Sequence, residues 1–112
     1  MKLRITSVDY APDDLYEQTP FEAELLRQLP GPDRPDYWLA EVHKPIRWAK
    51  DGKEHNVTHL VLAARWVGGV IAPGIHNTPV NISYVTDQNL LTEKRLDFSR
   101  CAYVAIGVAD AA

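Results

Sequence analysis

Apolar and polar residues alternate along most of this chain, and the alternation changes period only once. In "KLRITSV", Leu3 and Ile5 lie on one side and Lys2, Arg4 and Thr6 on the other, a period of two that predicts a half-buried strand. A polar turn, "APDD", follows. Over "TPFEAELLRQL" the period changes: Phe21, Leu25 and Leu29 recur every four residues with Leu26 beside them, as on one face of a helix. Thr19 offers a cap, Pro20 fits the first helical position, and Glu22 completes a T-x-x-E capping box. The pattern predicts one helix over about residues 20–29, stopped by Pro30 and the "PGPDRP" segment. Asp13, Asp14, Glu22 and Glu24 then fall near helix starts, where acidic groups favour the dipole.

From residue 37 onward the period is two again. In "YWLAEVHKPIRW" the positions Trp38, Ala40, Val42, Ile46 and Trp48 are apolar, while Glu41, His43 and Arg47 occupy the other parity. Pro45 cannot donate to a ladder, which places it on an edge strand or at a bulge. "KDGK" signals a hairpin turn, because Gly52 accepts a positive φ. "NVTHLVLAARWV" is apolar on both faces, as expected of a central strand. "PVNISYVT" and "CAYVAIGVA" read as two more strands, and "DQNLLTEKRLDFSR" between them as a loop with one helical turn. The expected fold is α+β, a mainly antiparallel sheet of about five strands with one helix packed on it, in a single domain over residues 1–112.

The glycine-rich stretch "ARWVGGVIAPGIHNTPVN" fits a corner better than a phosphate cradle. A phosphate loop leads into a helix, whose free N–H groups hold the anion. Here Pro79 opens another strand, so Gly68-Gly69 reads as a bulge and Pro73-Gly74 as a turn.

Composition narrows the range of functions. The formal net charge is −3, but residues 1–37 hold eight Asp/Glu against four Lys/Arg. An acidic N-terminal third disfavours nucleic acid and fits a partner with a basic surface. The N-terminus lacks the apolar run of a signal peptide, the longest apolar stretch is too short to span a membrane, and Cys101 stands alone. These features fit a cytoplasmic protein.

Four histidines are the candidate metal ligands. His55 and His59 are four apart, which separates them along a strand, and His43 and His76 have no motif around them, so no metal site and no cofactor are expected. Cys101 opens an apolar strand and reads as a small core residue. Hairpin register decides the remaining chemistry. A two-residue turn at Asp51-Gly52 pairs residues whose numbers sum to 103, setting Lys44 opposite His59 and Trp38 opposite Arg65. In a shifted register Glu41, His43, His59 and Arg65 share a face that can bind an anion or do acid–base work.

Three functions follow as expectations. The first is an inhibitor or immunity-type protein that neutralises a partner enzyme or toxin, using Asp13, Asp14, Glu17, Arg65 and Trp66 as its contact surface. It is similar in type to bacterial immunity proteins: small, acidic at one end and without a catalytic motif. The second is a small-ligand or enzymatic domain using Glu41, His43, His59 and Arg65. The third is a homo-oligomer, the simplest form a dimer, closed through an edge strand at Pro45.

Overall fold

Six strands, not five, carry the period-two pattern in the computed structural model, which describes residues 1–50, 52–66 and 69–112. They are β1 (Lys2–Asp9), β2 (Phe21–Gln28), β3 (Trp38–Lys50), β4 (Lys53–Ala64), β5 (Thr78–Val85) and β6 (Cys101–Ala111). Each pairs antiparallel with the next, and β6 returns to pair with β1, closing a barrel. The α+β expectation is therefore overturned: this is a closed antiparallel β-barrel. One short helix, α1 (Asp13–Tyr16), lies in the β1–β2 connection, and two 3-10 turns, Gln88–Thr92 and Phe98–Arg100, lie between β5 and β6.

The correction centres on residues 20–29. A spacing of four suits a helix but is also a multiple of two, so Phe21 and Leu25 sit equally well on one face of a strand. Ala23 and Leu25 turn inward at 1% and 8% exposure, while Leu26 points out at 49%. Tertiary pairing decides the outcome. Lys2 to Ile5 of β1 lie on one side of β2 and Trp38 to Val42 of β3 on the other. Thr19 does not cap a helix; its hydroxyl donates to Tyr16 O at 2.6 Å, and the Thr19–Pro20 bond is cis. Glu22 and Glu24 are strand residues, so they have no helix dipole to complement.

The barrel interior is filled by Leu3, Ile5, Ala40, Val42, Leu60, Leu62, Ile82 and Tyr84, each at most 5% exposed. Gly107 of β6 lies where an added Cβ would come within 2.6 Å of Ile82 Cδ1 and 2.9 Å of Ser7 O. Leu15 of α1 plugs the end of the barrel reached by the β1–β2 connection, and Ile71 and Ile75 pack against the interior from the β4–β5 connection. Successive connections of an up-and-down barrel alternate ends, so these two connections lie at opposite ends.

A second core explains why β4 is apolar on both faces. Outside the barrel, Leu39, Val61, Ala63 and Val85 are covered by Leu29, Tyr37, Leu90 and Leu96. The covering segments are held by polar bonds. Arg27 donates to Leu91 O at 2.9 Å and Glu93 O at 2.7 Å, and Leu96 N donates to Pro30 O at 2.7 Å. Arg100 bonds Asp87 at 2.9 Å. Arg34, 6% exposed, grips Asp36 with two donors and bonds Ala64 O at 2.9 Å. Cys101 packs half-buried against this cluster, and burial pushes its thiol up to about 11.

The hairpin register is half as expected. Lys50↔Lys53 through Ile46↔Val57 sum to 103, and Gly52 has φ +73°. Asp51 lies outside the described residues. The register then shifts, so Glu41 and not Lys44 faces His59, and Trp38 faces Leu62 and not Arg65. Pro45 sits in that shift, between the paired residues Glu41 and Ile46, where a residue without an N–H costs no ladder bond. In the glycine corner, Gly74 has φ +82° as the turn requires, while Gly68 lies outside the described residues.

Candidate functional site

The β1–β2 connection is acidic, aromatic and exposed. Its sequence, "DYAPDDLYE", places Asp9, Asp13, Asp14 and Glu17 around Tyr10 and Tyr16, which are 79% and 56% exposed. Among the described residues none of these four carboxylates is in an ion pair, whereas Glu22, Glu24 and Glu41 each face a cationic or imidazole group. The connection is nonetheless anchored. Leu15 is buried beneath it, Tyr103 Oη donates to Tyr10 O, and the Gln18 amide donates to Asp14 O at 2.7 Å. Tyr10 adopts φ +58°, which turns the chain out of β1. Two exposed phenols on a fixed backbone offer contact area at little entropic cost.

Arg65 and Trp66 are elsewhere. They follow β4 into the β4–β5 connection, at the end of the barrel opposite α1. The Arg65 guanidinium lies 4.7 Å from the centroid of the Trp66 ring, which is itself 70% exposed. The contact surface expected from Asp13, Asp14, Glu17, Arg65 and Trp66 is thus divided between two ends.

The Glu41/His43/His59/Arg65 set is brought together only in part. Glu41 and His59 are register partners, with Oε2 and Nε2 3.4 Å apart. The pair extends a row across three ladders, Lys2↔Glu24, Glu24↔Glu41 and Glu41↔His59. His59 is 9% exposed, and its Nδ1 lies 2.8 Å from Thr58 Oγ1. A proton on Nε2 suits both contacts: the Thr58 hydroxyl donates to Nδ1, and Nε2–H faces the carboxylate. Burial pulls the His59 pKa below its usual value, outweighing the opposite pull of Glu41. Folding therefore favours the neutral ring. His43 follows Glu41 outward into a cleft of about 200 Å³ with Lys2, Glu22 and Glu24. Arg65 lies just beyond the end of β4, six residues along the chain from His59.

The remaining histidines are also placed. His55 stacks on Trp48 with centroids 4.9 Å apart, and His76 Nδ1 lies 3.1 Å from Asp110. Among the described residues no group of three His, Cys, Asp or Glu side chains is arranged to hold a metal ion, and no helix is long and apolar enough to cross a membrane.

Sequence reasoning missed Tyr10 and Tyr16. Their signal is two tyrosines interleaved with acids in a turn. Arg34 was also missed, because "PGPDRP" reads as a breaker and gives no sign that its arginine is buried.

Comparison with known proteins found no matching family model, no similar characterised protein and no similar solved structure.

Proposed function

We propose that this protein is a protein-binding module of the inhibitor kind, and that its partner presents a basic surface to the β1–β2 connection. The observation that carries this reading is the unpaired acidic set Asp9, Asp13, Asp14 and Glu17 around exposed Tyr10 and Tyr16. Unpaired surface carboxylates steer a basic partner into contact. Tyrosines supply the apolar area that fixes the complex once formed. Anchoring by Leu15, Tyr103 and Gln18 holds the loop in a binding-ready shape, which reduces the ordering cost of association. Arg65 and Trp66 belong to the opposite end and are left out of this surface.

The test is affinity capture with tagged protein from lysate of the source organism, at low and high salt, alongside an Asp13→Lys/Asp14→Lys variant and a Tyr10→Ala/Tyr16→Ala variant. The reading expects one partner that is lost both at high salt and with either variant. A partner retained by both variants, or no partner at either salt concentration, contradicts it.

A further inference from the structure

Within the closed barrel the pairing of β3 lapses over a short stretch, and the stretch is framed. β2 pairs with β3 up to Ala23↔Val42, and β3 resumes pairing with β4 at Ile46↔Val57. Between these points His43, Lys44 and Pro45 have no register partner on β2 or on β4. Beyond the gap a side chain takes over the work of a strand. Arg47 N donates to Gln18 Oε1 at 2.9 Å, and Gln18 Nε2 donates to Arg47 O at 2.6 Å. A primary amide supplies one donor and one acceptor with the spacing of a peptide group, so Gln18 stands in for a β2 residue opposite Arg47. The result is a seam held shut at both ends and open in the middle.

A cleft of about 570 Å³ lies along this seam. Its apolar surface comes from Pro20, Phe21, Pro45 and Ile46. Its charged groups are Arg4, Glu22 and Lys44, with the His43 imidazole beside them. Arg4 and Glu22 face each other at 3.2 Å and largely cancel. His43 and Lys44 are exposed and, among the described residues, are in no ion pair. A bulge next to an open ladder commonly re-aims side chains toward a site. Here it sets an ammonium and an imidazole beside an apolar floor.

We propose that this seam binds a small carboxylic acid with an apolar body. The body lies on Phe21, Pro20 and Pro45, and the carboxylate accepts hydrogen bonds from Lys44 and His43. Charge complementarity selects the occupant. Carboxylates of the chain lie nearby, Glu22 in this cleft and Glu24 and Glu41 in the adjoining one, but among the described residues none is ion-paired with Lys44 or His43, and a ligand anion gives both donors a partner. The proposal is independent of the partner reading, since it uses neither the acidic residues nor the tyrosines of the β1–β2 connection.

The test uses 4-phenylbutyrate and its neutral amide as probes, followed by amide chemical shifts of the labelled protein. The expected result is saturable binding of the acid about tenfold or more tighter than the amide, with shifts concentrated on residues 18–22 and 43–47. A Lys44→Gln/His43→Gln variant, altered only at exposed positions, should keep its dispersed spectrum and lose that preference for the acid. Equal binding of acid and amide, shifts centred elsewhere, an acid preference that survives in the variant, or no binding of either probe overturns the proposal.

Discussion

The two sides of the barrel wall are built differently. From β4 to β5 the register runs from Ala64↔Val80 to His59↔Val85 without a shift, and β5 pairs with β6 regularly from Thr78 to Tyr84. From β2 to β3 the register slips between Leu25 and Arg27, and from β3 to β4 it slips again between Glu41 and Ile46. On the regular side each residue is committed to a ladder and to one of two cores, as Val61 and Leu62 are on opposite faces of β4. On the irregular side His43, Lys44 and Pro45 are released from the ladder. Closure elsewhere leaves these few residues without ladder partners, and they line the cleft proposed to take a carboxylate.

The sharpest way to break the comparison is to disturb the regular side. Gly107→Ala puts a methyl against Ile82 Cδ1, which can move only within a filled interior, and against the Ser7 carbonyl, which as backbone cannot yield cheaply. It should cost about 1–3 kcal/mol by overpacking, read as a lower midpoint in denaturant unfolding. A neutral result would mean that the β5–β6 wall, or the β1–β6 register shift between Ile5 and Ser7, gives way more easily than the regular β5–β6 pairing implies.

A smaller effect is expected on the irregular side. Gln18→Ala removes both bonds to Arg47 and the bond to Asp14 O. Partly exposed hydrogen bonds contribute modestly, so a loss of about 1–2 kcal/mol is expected. It should come with faster exchange of the Arg47 amide, while β5 and β6 stay protected. Uniform loss of protection around the barrel would erase the distinction between the two sides.

The smallest effect belongs to His59. Its folded-state pKa is lowered by burial, so folding favours the neutral ring, and the unfolded chain takes up the proton first as pH falls. The stabilisation is complete above the unfolded value of about 6.5. It declines as pH drops from there toward the lower folded value. Asp36 and Asp97, lowered by hydrogen bonds from Arg34 and Ser99, lose their contributions only in more acidic solution. His59→Gln should therefore flatten the stability profile just below pH 6.5, with little change above it. An unchanged slope would show that Glu41 cancels the effect of burial, and a steeper one that the Glu41 pair dominates.

Much of the regular side was legible in the sequence. Alternation locates β1, β3, β4, β5 and β6, and two-faced apolarity marks β4 as a strand buried on both sides. The "KDGK" turn fixes the register from Lys50 to Ile46 correctly. The irregular side was not legible, for reasons that are physical. A four-residue spacing in Phe21, Leu25 and Leu29 cannot separate a helix from a strand, and the decision fell to pairing with β1 and β3, distant in sequence. The slip at residues 42–45 moved Glu41 to His59, and no local feature beyond Pro45 announces it. The acidity of Asp13, Asp14 and Glu17 was plain, but their separation from Arg65 and Trp66 follows only from barrel topology. Gln18 gave no sign that its amide replaces a strand.

Amide hydrogen exchange on the native protein, resolved residue by residue, tests the central claim most directly. With β2 as a strand of a closed barrel and the pairing lapsing at residues 43–45, exchange should be slow at Ala23, Leu25 and Arg47 and fast at His43 and Lys44 between them. Protection running unbroken from Val42 through Arg47, or a helical pattern of protection over residues 21–28, would contradict it.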